Sequence, residues 1–171
     1  MSTKIEWTNE TWNPVVGCSK ISEGCENCYA EKMACRLTSM EYAEYDRSHD
    51  GEASMSDAKP VGYYDSVTDL SKRQWNGRTV LVESALEKPL HWKKPRKIFV
   101  CSMGDLFHES VPFDWVDKVM AIIVLCPQHT FQVLTKRPER MAEYFCGLRD
   151  STEQALRLSL GGICNDPNRH H

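Results

Sequence analysis

The chain has 171 residues, 41% of them hydrophobic, which is enough for one domain with a core of its own. A formal net charge of -3 excludes a general attraction to nucleic acid or to an anionic membrane, and leaves room only for a local basic patch. The longest apolar run, Met120 to Cys126, falls far short of the ~20 residues of a membrane span, so no membrane partner is expected.

The amino-terminal stretch MSTKIEWTNETWNPVV lacks a basic start followed by an apolar segment, so a reducing, cytoplasmic compartment is expected. In that setting the eight cysteines read as thiols or metal ligands rather than a disulfide framework. Residues 1–28 read as irregular, with Trp7, Trp12 and Pro14 leading into a run of cysteines. Ala30, Met33, Ala34 and Leu37 then recur at i, i+3, i+4, i+7, which predicts a helix over 29–37. Residues 46–78 are polar and carry Gly51, Pro60, Gly62 and Gly77, the composition of a long surface excursion.

TVLVE at 79–83 predicts a short strand, and SALEKPLHW a turn of helix broken by Pro89. KIFVCSM at 97–103 is apolar and branched enough for a buried strand. Pro112 suits a helix start, and Val116, Val119, Met120, Ile123 and Val124 keep helical period until Pro127 stops them. TFQVLTK at 130–136 predicts the next strand. Pro138 opens a helix carrying Met141, Tyr144, Phe145 and Leu148 on one side, and Ser151 with Gln154 forms a capping box for a last one.

From residue 97 onward the order is therefore strand, helix, strand, helix, which favours parallel strands in a single α/β domain over 1–171. Ligands collect at the carboxyl ends of such strands. Those ends are Ser102 to Asp105 and Thr135 to Arg137.

The run GCSKISEGCENCY places Cys18, Cys25 and Cys28 at spacing C-x6-C-x2-C. Three thiolates can hold a [4Fe-4S] cluster with one iron left open, a useful arrangement only where the cluster performs chemistry. Gly17 and Gly24 each precede a cysteine, and the helix that follows directs its amides at a negative cluster. A structural zinc site, in a non-catalytic module that recruits a partner, would take Cys35 as the fourth ligand. A helix over 29–37, however, separates Cys28 and Cys35 by roughly 10 Å, whereas two sulfurs on one zinc lie at most ~4.6 Å apart. Free thiols are the third alternative. Cys101, Cys126 and Cys146 sit in or beside apolar residues and read as core. His108 with Glu109 reads as loop structure rather than an acid–base pair, and the scattered tryptophans form no stacking ladder for bases.

IEWTNETWNPVVGCSKISEGCENCYAEKMACRL, PLHWKKPRKIFVCSMGDLFHESVP and HTFQVLTKRPERM, in that order, resemble a phage-associated three-cysteine protein family. That family is in turn similar to radical S-adenosylmethionine (SAM) enzymes. The resemblance implies an incomplete parallel (β/α) barrel-like domain, truncated at its carboxyl end, with an irregular amino-terminal cysteine loop. It implies that Cys18, Cys25 and Cys28 hold the cluster and that its open iron takes SAM. Reduction by an electron donor would then release a 5'-deoxyadenosyl radical that abstracts hydrogen from a substrate.

On the same grounds Ser102, Gly104 and Asp105 meet the methionyl part of SAM, with Asp105 accepting from its ammonium. Lys136 and Arg137 pair with a carboxylate or phosphate. A nucleic-acid or nucleotide substrate agrees with the phage-associated resemblance. The loop departs from the usual C-x3-C-x2-C, and Asn27 stands where an aromatic residue is common.

Overall fold

The computed structural model describes residues 7–48 and 62–147. The chain divides into two compact units, Met1–Lys136 and Arg137–His171. In the second unit residues 138–147 are helical, as the proline at their start predicts. Leu148, Cys164 and the Ser151–Gln154 capping box lie outside the described residues.

The first unit is built on a parallel sheet of three strands: β1 (Glu10–Trp12), β6 (Lys97–Val100) and β7 (Thr130–Val133), with β6 in the middle. Glu10 to Trp12 pair with Ile98 to Val100, and Lys97 to Val100 pair with Thr130 to Val133. Between β6 and β7 runs α3 (Phe113–Leu125), giving the strand–helix–strand unit expected from the periodicity. Pro112 stands just ahead of the first helical turn in extended conformation, and Val116 and Val119 supply the buried stripe. The sheet is mixed with other elements in an α/β fold, and among the described residues its strands form no closed barrel.

Two small antiparallel pairs complete the strands. β2 (Val15–Val16) pairs with β5 (Val80–Leu81), and β3 (Thr68–Asp69) pairs with β4 (Gln74–Trp75). β1 and β2 fall in the segment whose sequence reads as irregular. They hold three and two residues, too few for alternation to register, and their pairing partners lie more than sixty positions away.

α1 (Tyr29–Ser48) begins where the periodicity places it and runs eleven residues past Leu37. No glycine or proline interrupts it, and the Thr38 and Ser39 hydroxyls are absorbed by donating to the carbonyls of Ala34 at 3.0 Å and Cys35 at 2.8 Å. α2 (Glu83–Leu86) and a 3-10 turn over Lys88–His91 follow β5.

The core joins these pieces. Val16, Ala34, Val67, Trp75, Val82, Ala85 and Met103 form one buried cluster, with Cys18, Ala30, Met33 and Leu37 packed against it. The second half of the polar excursion is thus not merely surface. Val67 and Trp75 close over α1, because the Glu31 carboxylate accepts from the Trp75 amide at 3.0 Å and tethers β4 to the helix. Trp12, 1% exposed, satisfies its indole N–H on the Ala85 carbonyl at 2.7 Å.

Gly17 sits at φ +93, and a Cβ there would collide with the Arg78 carbonyl and press on Val67. Gly77 sits at φ +83 with open space around it. Gly17→Ala adds a backbone collision to the left-handed strain that both positions share. Chemical denaturation should therefore show Gly77→Ala losing about 1 kcal/mol and Gly17→Ala at least about twice that.

Candidate metal and cofactor site

The cysteine loop is fastened to the carboxyl ends of β6 and β7. At its start the Gly17 amide donates to the Met103 carbonyl at 3.1 Å, and Gly17 and Gly104 form an isolated parallel bridge. Gly104 admits this approach because a Cβ on it would stand 3.0 Å from the Gly17 and Val15 carbonyl oxygens. Cys18, half-buried, follows immediately and packs on the core cluster.

The next residues are held in turn. Ser19 Oγ lies 2.8 Å from His108 Nε2, and the Ser110 amide donates to His108 Nδ1 at 3.1 Å. Ser110 also meets Nδ1 through its hydroxyl at 2.8 Å, so both ring nitrogens are engaged within the protein. Lys20 Nζ pairs with Glu31 Oε2 at 3.1 Å. His108 is buried, and its link to Ser19 is stronger evidence of a structural post than its 3.7 Å approach to Glu109 Oε2 is of acid–base chemistry.

A 3-10 turn over Glu23–Cys25 then presents Cys25, whose amide donates to the Ser22 carbonyl at 2.9 Å. The Cys28 amide donates to the Cys25 carbonyl at 3.3 Å, and the Cys28 carbonyl accepts from Lys32. Cys28 therefore occupies the cap of α1, where unsatisfied amides and the helix dipole favour negative charge.

Asp105 organises the opposite wall. It is buried, its Oδ1 accepts from Thr135 Oγ1 at 2.7 Å and the Phe107 amide at 3.0 Å, and its Oδ2 accepts from the Lys136 amide at 3.1 Å. One carboxylate thus joins the loop after β6 to the end of β7. Lys136 so placed reaches across 111 positions of sequence: its Nζ donates to the Gly24 carbonyl at 2.7 Å and lies 3.4 Å from Cys25 Sγ. Ser102 Oγ and the Met103 amide both donate to Asn13 Oδ1 at 3.1 Å, fastening the segment after β6 to the segment after β1.

The thiols separate by environment. Backbone hydrogen bonding at Ile21 lowers the Cys25 pKa to about 7, helped by the Ser22 hydroxyl and backbone and by Lys136, against the upward push of burial. Burial drives the other way elsewhere. It pushes Cys101 up to about 12, and raises Cys35, assisted by the Glu31 charge, and Cys126. Cys101 is fully packed at φ +55, where the chain turns out of β6. Cys126 is buried as expected, but Cys146 is exposed on the helix over 138–147, so its neighbour Phe145 does not carry it into a core.

Gly17, just before Cys18, and Cys25 are therefore tied to the sheet end that carries Ser102, Gly104, Asp105 and Lys136, and Cys28 of the same loop caps α1. Arg137 belongs to the second unit, where it is buried and its carbonyl accepts from the Met141 amide at 3.1 Å. Asn13, Ser19, Ser22, Glu31 and Thr135 complete the arrangement. None announces itself in sequence, because each acts through a partner distant in the chain or through a single turn.

For a single ion the fit is poor. Cys28 and Cys35 stand at either end of two continuous helical turns, and among the described residues no group of three histidine, cysteine or acidic side chains is arranged to hold a metal ion. For a cluster, whose thiolates bind separate irons, the donor set fits in kind: three thiols, one already shifted toward thiolate, beside an ammonium and a helix amino terminus.

The chain belongs to the family described as Protein of unknown function (DUF5131), whose profile matches residues 2–164. No curated protein and no solved structure matches it.

Two outcomes follow from these contacts. In metal-free protein, alkylation of Cys25 by iodoacetamide, read by peptide mass spectrometry, should rise with pH through a midpoint near 7, while Cys101 stays unmodified. Asp105→Ala leaves the Thr135 hydroxyl and two amides without their acceptor, and should cost about 2–4 kcal/mol in chemical denaturation.

Proposed function

We propose that the chain is an iron–sulfur protein of the radical SAM type, in which Cys18, Cys25 and Cys28 hold a [4Fe-4S] cluster and one iron stays open for SAM. The supporting observation is the fastening of a three-thiol loop to the carboxyl ends of β6 and β7, where parallel α/β sheets gather their ligands. The resemblance to a phage-associated three-cysteine family and to radical SAM enzymes favours the same reading. It also favours a (β/α) barrel-like plan, of which β1, β6 and β7 supply three parallel strands.

A cluster with SAM on its open iron supplies reductive cleavage of the sulfonium. The chain's own residues hold and orient. Gly17 and Gly104 fix the first thiol against the sheet, Asp105 joins the two strand ends, and Cys28 stands in the field of the α1 amino terminus. Both Asp105 oxygens already accept from the protein, so in this reading its role would be to hold the two strand ends in place for the methionyl part of SAM. Backbone groups of Ser102 to Gly104 line the same end.

The reading calls for an electron donor, and a nucleic-acid or nucleotide substrate is the class that the phage-associated resemblance favours. No described helix is long and apolar enough to cross a membrane.

Anaerobic reconstitution with iron and sulfide tests it. The expected product is brown, holds iron and acid-labile sulfide in about equal amounts, and releases 5'-deoxyadenosine on addition of SAM and dithionite. Cys25→Ala should abolish both colour and turnover, and Cys146→Ala should preserve them. A colourless protein holding one zinc per chain would overturn the proposal.

A further inference from the structure

We infer that Lys136 is a positioning residue for the cysteine loop, and that its ammonium raises the reduction potential of the cluster ligated there. The inference rests on the function proposed above and assigns Lys136 a protein partner in place of a substrate carboxylate or phosphate.

Three observations carry it. The ammonium makes two contacts on the loop, to the Gly24 carbonyl at 2.7 Å and to Cys25 Sγ at 3.4 Å, so it grips the backbone just before the thiol and the thiol itself. Its base is not free to wander: the Lys136 amide is bound to buried Asp105, which also holds the neighbouring Thr135 hydroxyl. A flexible surface lysine loses side-chain freedom when ordered, and anchoring at its base narrows the arc that the ammonium must search. Finally, the two lysines in and beside the loop take other partners. Lys20 reaches Glu31, and Lys32 reaches Asn27 Oδ1 at 3.2 Å.

Hydrogen bonds to ligating sulfur and nearby positive charge both favour the reduced, more negative state of an iron–sulfur cluster. Lys136 supplies both from one atom. The Gly24 bond has a second effect: it ties the turn that presents Cys25 to the end of β7, so the middle ligand is held to the sheet independently of Cys18 and Cys28.

The experiment is a redox titration of the anaerobically reconstituted full chain, stepwise with dithionite and mediator dyes and followed by electron paramagnetic resonance, for wild type, Lys136→Met, Lys136→Arg and Lys20→Met. Lys136 is exposed, so its replacement leaves the core intact. Lys136→Met should form a cluster whose reduced-to-oxidised ratio at fixed potential falls at least about tenfold, a shift of ~59 mV toward negative values for one electron. Lys136→Arg, which keeps charge and donor, should recover most of the shift, and Lys20→Met should stay near wild type. A cluster of unchanged potential in Lys136→Met, or an equal shift in Lys20→Met, overturns this inference while leaving the proposed function standing. Failure of wild type to form any cluster overturns both.

Discussion

Asp105 is the constraint on which the site depends. A buried carboxylate is costly unless its oxygens find donors, and here the donors come from two strand ends: Phe107 in the loop after β6, and Thr135 and Lys136 after β7. The carboxylate therefore fixes the relative height and direction of both segments. From that fixed base the Lys136 ammonium reaches Gly24 and Cys25, while Gly104, one residue before Asp105, receives Gly17. Two of the loop's attachments thus trace to a single side chain.

The loop also carries its own braces. His108 holds Ser19, and Glu31 on α1 holds Lys20 with one oxygen and the β4 backbone with the other. Between Gly17 and Cys28 the chain is bound to β6, α1 and β7 in succession, so its three thiols are carried on a fixed support rather than a mobile tether. The contrast with the remaining thiols is chemical as well as geometric. Cys35, Cys101 and Cys126 are surrounded by apolar packing that favours the neutral S–H, whereas Cys25 is surrounded by donors that favour the thiolate. Cys25 and the thiols that fill space are thus kept in different electrostatic surroundings of one small unit.

What could be read from sequence was what local periodicity encodes. The α1 start, the α3 span between Pro112 and Pro127, and strands β6 and β7 follow from apolar spacing and proline punctuation over a handful of residues. β1 and β2 left no such trace: two or three residues cannot show alternation, and Trp12 and Val15 become strand residues only through Val100 and Leu81. The packing of Val67 and Trp75 was hidden by the polar residues around them. At the site, the three cysteines and the strand ends were legible because spacing and topology mark them. The roles of Asp105 and Lys136 were not. The resemblance pointed their charges at a small molecule, whereas folding gives the Asp105 carboxylate the Lys136 amide, 31 positions away, and turns the Lys136 ammonium to the loop, with Cys25 111 positions away.

The central claim is that three thiolates from this loop bind a multi-iron centre and leave one iron for an outside ligand. Iron-edge X-ray absorption on the anaerobically reconstituted chain, before and after adding SAM, tests it most directly. The account predicts a sulfur shell with iron–iron scattering, and new nitrogen or oxygen scattering when SAM is present. Sulfur around isolated iron without metal–metal scattering, unchanged by SAM, would contradict it.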